Sequence, residues 1–346
     1  LSYFFPFLNN WPDHLSVSPA RSISEGLDFF IFNFGSQIDY LKQIAFFFVM
    51  LPTKIGLQNS ISPYTWGFDL TPTLSFCYFV FMFALAFWCF IKWGTNLSVG
   101  VVLFAIFFFF GLTNIPWLPL ILIYGLIGLK IGGVSLFIGT VLGMSFIVFT
   151  GILPQALISI YLCGIAVIIS FLLGTSLGIW AANNDRVSSF MRPINDTMQT
   201  MPSFVILIPF VMIFKIGEFT ALLAIIAYAF VPAMRYAEHG LRNLPQTVIE
   251  AATMVGCSKR QLLWKVKIPL ALPVIMLGLN QTIMYGLAML VIAALVGTTG
   301  LGQLIYIGLS KASFGSGMIA GIGIAIIAMV ADRMTQAWSK NLQKNI

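Results

Sequence analysis

Few side chains in this sequence have the types and spacing that covalent chemistry needs. His14 and His239 are the only histidines, too few for a histidine metal cluster. Cys77, Cys89, Cys163 and Cys257 show neither disulfide nor zinc spacing. His239 beside Glu238 is the single candidate acid–base couple, and no nucleophile accompanies it. The densest polar unit is instead VIEAATMVGCSKRQLLWKVKIPLALP, Val248 to Pro273, where Lys259, Arg260, Lys265 and Lys267 fall within nine positions. With Glu250 ahead of them, these charges suit binding through charge-assisted hydrogen bonds.

Two short helices at an angle should carry those charges. Pro245 suits a first helical turn, and Val248, Ala251, Ala252 and Val255 share one face. Glu250 lies early in that helix, near its positive dipole end. Gly256 supplies the left-handed residue that stops it, and Ser258 with Gln261 reads as a capping box for the next. Leu262, Leu263 and Val266 give the second helix an apolar face, and Pro269 is expected to end it. Two readings fit: an amphipathic loop lying on anionic lipid, or a rigid helix–turn–helix docked in a groove of a cytoplasmic partner.

The rest of the chain must hold this unit at a membrane. Hydrophobic residues make up 59% and charged residues 8%, far from the balance of a water-soluble domain. The expected fold is all-α, a polytopic transmembrane helix bundle of about nine spans. Charge-free runs place them near 72–91, 97–113, 117–130, 133–150, 155–182, 202–215, 219–236, 268–297 and 317–335. The run 117–129 is short, and 202–215 is a candidate for dipping rather than crossing. With loop 237–267 in the cytoplasm, the outer side keeps only Arg21, Lys42, Lys54, Lys215 and Lys311, so the positive-inside rule gives N-out, C-in. The net charge of +7 therefore reports orientation; no basic patch interleaved with aromatics indicates nucleic acid.

Four zones follow. Residues 1–71 are an outer region with one or two interfacial amphipathic helices. Residues 72–153 are nearly non-polar spans. Residues 154–336 hold the distinctive polar features, and 337–346 are a cytoplasmic tail. Asn280, Gln281 and Thr282 lie midway along one span, and Gln199 and Thr200 stand beside Pro202 at the entry to another. They are candidates for a translocation path, with interhelical hydrogen bonding as the plainer alternative. Phe204 and Tyr285 offer faces for a quaternary ammonium. Between 268 and 331 there is no Asp, Glu or His, and the only charged residue is Lys311, in an outer loop, which disfavours an ion-coupled carrier.

EAATMVG, nine residues and then KIP resembles the EAA loop of permease subunits of binding-protein-dependent ABC importers. Glu250, Ala251, Ala252, Gly256 and Pro269 match that pattern, while Val266 and Ile268 replace its usual Ile and Leu. LGTSLGIWAANN (173–184), DTMQTMPSFVILIP (196–209), GLNQTIMYGLAMLVIAALVGTTGLGQ (278–303) and DRMTQA (332–337) look like the glycine betaine/proline/choline branch. The resemblance covers roughly 154–337. It implies a type I (MetI-like) permease core in the inner membrane, with no enzymatic activity and no cofactor of its own, ATP being bound by a partner. It further implies coupling to cytoplasmic ATPase subunits through Glu250, Ala251, Ala252, Gly256, Lys259, Arg260 and Pro269, an external substrate-binding protein and a permease homodimer. Trimethylamine N-oxide, a sulfonium osmolyte or histidine remains open as cargo, as does, more remotely, an ion-coupled secondary transporter.

Overall fold

The computed structural model describes residues 19–46, 71–93 and 117–343, with Met50 and positions 98, 100–102 and 105. Among them every regular element is helical: α1 (Pro19–Ala45), α2 (Pro72–Trp93), α3 (Trp117–Phe149), α4 (Leu153–Asn183), α5 (Asp185–Thr200), α6 (Ser203–Phe214), α7 (Glu218–Arg242), α8 (Gln246–Met254), α9 (Lys259–Gln261), α10 (Ile268–Ala293), α11 (Leu301–Ser310) and α12 (Phe314–Gln343).

Small residues set the closest helix contacts around a core of Leu, Ile and Met, because lipid gives helices little hydrophobic reason to associate and close packing must supply it. A Cβ at Gly178 would collide with the Met234 carbonyl and lie 2.8 Å from Ala237 Cβ. Gly174 meets Ala233 one turn earlier, so α4 and α7 run parallel in near-backbone contact. α10 runs antiparallel to α7, with Gly278 against Tyr236 and Gly240 against Val274. Ser170 donates to the Ile226 carbonyl at 3.1 Å within the same bundle.

These contacts define two ends. The carboxy ends of α4, α7 and α12 gather at one, with loop 243–267. At the other, Gly217 N–H donates to the Val296 carbonyl at 3.0 Å, and Leu301 N–H to Ser159 Oγ at 2.9 Å. α1 reaches this far end, where Lys42 Nζ donates to the Phe214 carbonyl at 3.3 Å. Within the region where interfacial amphipathic helices are expected, Pro19–Ala45 is helical, and the rest of 1–71 lies largely outside the described residues.

Six helices among the described residues are long and apolar enough to span a membrane, or seven if the bent pair α5–α6 is one crossing, against nine expected. Three particulars account for the difference. The run 97–113 lies mostly outside the described residues. The run 202–215 is α6, 12 residues turned 104° from α5, too short to cross alone and counted as a crossing only when joined to α5. The runs 117–130 and 133–150 have no loop between them and register as one helix, α3, interrupted at Gly133 (φ 78). The arms of α3 nevertheless fold back on each other: Gly125 packs on Val141 and Gly128 on Thr140, and the Trp117 and Phe149 rings lie 5.6 Å apart. Each arm is about 24 Å long, short of a hydrocarbon core of about 30 Å. Length and hydropathy count α3 once; its contacts show a hairpin.

Candidate coupling loop and polar interior

Loop 243–267 is built by local rules. Pro245 stands just before α8 as its capping residue, one place earlier than expected. Gly256 (φ 84) stops α8. Cys257 N–H donates to the Ala252 carbonyl at 3.2 Å and Gly256 N–H to the Thr253 carbonyl at 3.0 Å, the paired bonds of a Schellman stop. Ser258 and Gln261 form the expected capping box, with bonds of 3.3 and 2.9 Å.

The second helix departs from expectation. Pro269 does not end it; α9 continues through a π-helical stretch, Leu262–Lys267, directly into α10, giving one rod from Lys259 to Val296. Pro269 lacks the N–H that the Lys265 carbonyl would use, and the wider register, with Ile268 N–H on the Leu263 carbonyl, absorbs that loss without breaking the helix. The loop's outer surface is bare: Met254 is 87% and Val255 85% exposed. Glu250, Ala251, Lys259 and Arg260 are exposed and Ala252 half-buried, and no hydrogen bond or ion pair engages the Glu250, Lys259 or Arg260 side chains among the described residues.

The loop's base is the opposite, a closed ionic network. Arg242 donates to Asp185 at 2.8 Å, to Glu238 at 2.9 Å and to the Ala181 carbonyl at 2.8 Å. Ser188 donates to the same Glu238 oxygen at 2.6 Å. Arg235 pairs with Asp196, tying α7 to α5 a second time. Glu238 is thus committed to Arg242 and Ser188, and His239 faces Asn243, so no acid–base couple forms between Glu238 and His239.

The candidate path residues separate. Asn280 is buried; its Nδ2 donates to Asp332 Oδ1 at 2.6 Å and its Oδ1 accepts from Thr335 at 3.1 Å. Gln336 donates to the same Asp332 oxygen at 2.7 Å. Thr282 is fully buried and bonds back to the Gly278 carbonyl at 2.8 Å. Half-buried Gln281 has no side-chain hydrogen bond among the described residues. Gln199 and Thr200 lie at the α5–α6 bend, about 80 residues earlier in the chain, and Thr200 bonds to the Asp196 carbonyl at 2.8 Å. Tyr285 packs on Tyr228, ring centroids 5.1 Å apart, while Phe204 is exposed.

Sequence reasoning missed Asp332, whose signal is an acid followed by a hydroxyl and an amide at i+3 and i+4 on one helix face. About 11 residues, or 16 Å, of α12 follow it, so an ionisable group does lie within the last span. The argument from missing membrane acids therefore fails, and the case against an ion-coupled carrier rests elsewhere.

The profile of a family described as "binding-protein-dependent transport system inner membrane component" matches residues 174–345. The glycine betaine transport system permease protein OpuAB of Bacillus subtilis (strain 168) is 39% identical over 228 residues, 65% of this chain and 80% of that protein. The glycine betaine/proline betaine transport system permease protein ProW of Escherichia coli (strain K12) is 38% identical, covering 65% of this chain. The chain spans 64% of ProW's length. The trimethylamine N-oxide transport system permease protein TmoV of Pelagibacter ubique (strain HTCC1062) is 41% identical over 193 residues, 56% of this chain but 27% of its own length. A solved inward-facing structure of the MetNI methionine ABC transporter aligns with 54% of this chain and 93% of its own at TM-score 0.49 and 18% identity.

Proposed function

Because the chain belongs to the family of inner membrane components of binding-protein-dependent transport systems, we propose that it is the permease subunit of an ATP-driven importer for a small compatible solute. ATP is hydrolysed by partner ATPase subunits at the loop end, which the positive-inside rule puts in the cytoplasm. The carrying observation is the contrast between a bare loop surface, Met254 and Val255 at 87% and 85% exposure, and its rigid mounting. Exposed apolar residues beside unpaired charges suit a docking face. Glu250, Ala251, Ala252, Gly256, Lys259 and Arg260 form or frame that face. Pro269 lies inside the rod that carries motion from α9 along α10. A floppy loop would dissipate such motion; a helix continuous from Lys259 to Val296 transmits it.

The path runs between two copies of the chain related by a two-fold axis, and an external binding protein delivers solute to the far end. Gln281, Gln199 and Thr200 line the path, whereas Asn280 and Thr282 hold helices together, their polar groups being used within the bundle. Residues 154–336 are the transporting core, and 72–153 are additional membrane helices. Relatives named for glycine betaine and proline betaine support a zwitterionic quaternary ammonium cargo; the similarity to TmoV favours trimethylamine N-oxide as the second reading. Tyr228 and Tyr285 supply aromatic faces suited to either.

The test is reconstitution in proteoliposomes with the ATPase and binding protein. Glu250→Ala and Gly256→Pro should abolish ATP-driven uptake while the permease still inserts and elutes as a folded species. Full uptake by either variant contradicts the coupling role. Binding assays on the partner protein with glycine betaine, proline, choline and trimethylamine N-oxide decide the cargo independently.

A further inference from the structure

A groove of about 1070 Å³ lies where the hairpin of α3 packs on α12, with Gly132 against Ala337 and Gly143 against Ile326. Its charged lining residues are Lys130, Arg333 and Lys340, all exposed, and no carboxylate lines it. Asp332, next in sequence to Arg333, is not among the lining residues; its carboxylate accepts from Asn280 inside the bundle and from Gln336 at the groove's edge. The hairpin tip and the carboxy end of α12 share the loop end, so the three cations sit where one membrane surface meets the hydrocarbon. From them the walls run inward as Leu136, Leu142, Phe146, Ile326, Met329 and Val330. Gly139 keeps the lining open: a Cβ there would meet nothing within 4 Å.

We propose that this groove binds an anionic phospholipid, its phosphate held among Lys130, Arg333 and Lys340 and one acyl chain laid along the apolar walls. Charge complementarity selects the headgroup, and basic pockets between membrane helices on the cytoplasmic side recognise such headgroups. Arg333 lines the groove about two turns deeper than Lys340, and long basic side chains in lipid turn their charged ends toward the surface. A second copy of this chain is a poor occupant. At this end Asp185, Asp196, Glu238 and Asp332 are already bonded within the chain, and the exposed Glu250 belongs to the coupling loop and not to the groove. The inference needs only a membrane-embedded chain and is independent of the coupling role.

Native mass spectrometry of the full-length protein, offered equal amounts of phosphatidylglycerol and phosphatidylcholine, tests it. At about fivefold per basic residue, the wild type should prefer phosphatidylglycerol by on the order of a hundredfold. The triple variant K130Q/R333Q/K340Q should lose that preference, and K340Q alone should lose about fivefold of it, which keeps the test intact if the triple variant misfolds. Gly139→Leu, which keeps every charge but fills the acyl channel, should also weaken retention. Equal retention of both lipids by the wild type overturns the proposal, as does wild-type preference in the folded triple variant. Displacement of the lipid by millimolar glycerol phosphate would identify a headgroup-only site and overturn the acyl-chain assignment. A disulfide between two copies of Gly139→Cys would assign the groove to a dimer interface and overturn it entirely.

Discussion

α2 and α7 invert the rule that holds in water. The most apolar 18-residue stretch of α2 has a mean hydropathy of 2.3, yet 11% of it is buried; that of α7 has 1.5, and 61% is buried. Phe76, Phe81, Phe83 and Ile91 stand outward from α2, each more than half exposed. α7 buries Thr220, Ala221, Ala224, Ala229, Ala233 and Ala237 where helices approach most closely, with Leu222, Ile225, Met234 and Leu241 filling the space between. In a bilayer, large apolar side chains lose nothing by facing lipid, so hydropathy marks the outside. Helix association depends on close packing and on polar groups satisfied between helices, so small and hydroxylated residues mark the inside.

The largest effect should come from spoiling that inner packing. Gly178→Leu drives a branched side chain into the Met234 carbonyl and Ala237. It should cost about 3 kcal/mol or more and yield no monodisperse protein by size exclusion in detergent. A variant that elutes and melts like the wild type would refute the α4–α7 contact.

Next in size is the docking surface, which is exposed for a different reason than α2. Met254 lies beyond the span-forming helices, beside charged residues, and in the proposed coupling role it would meet the ATPase subunit. Met254→Asp should leave thermal melting unchanged and weaken binding of the ATPase subunit by roughly 30-fold, about 2 kcal/mol for a central apolar contact. Binding to nanodisc-embedded permease measures it, and an unchanged affinity would move the docking face elsewhere.

Smaller still is the polar clasp. Asn280→Leu removes a donor to Asp332, which keeps Gln336, and should cost about 1–2 kcal/mol in unfolding free energy. Combined with Asp332→Asn, a double-mutant cycle should give a coupling near 1 kcal/mol. Coupling indistinguishable from zero would mean that Asn280 turns toward the path instead.

What was legible in the sequence was local. Gly256, Ser258 and Gln261 act within four residues of themselves, so their types alone announce the Schellman stop and the capping box. Pro269 misled because the rule that proline ends a helix omits the π register, by which the turn before it gives up one bond and continues. The hairpin of α3 was legible as the two successive runs 117–130 and 133–150, but their uniform apolarity did not show that they join without a loop at Gly133. Asp332 meets Asn280 across 52 positions of chain, and no nearby residue reports such a distance. The same holds for Arg242 and Asp185, 57 positions apart and joined only when α5 and α7 pack.

The smallest expected effect tests the outer half of the comparison. Phe83 is 74% exposed on α2, and in a bilayer that surface meets acyl chains. Phe and Leu insert with nearly equal free energy at the centre of a membrane helix, so the substitution trades one lipid-facing hydrocarbon for another. Phe83→Leu should therefore change thermal stability by no more than about 0.5 kcal/mol, read as an unshifted melting curve in lipid nanodiscs. The same curve discriminates lipid from protein as the neighbour of α2. Were this face covered by a second copy of the chain, losing an aromatic ring from a packed interface would cost about 2 kcal/mol or more. A loss of that size would place α2 at an interface and break the comparison with α7.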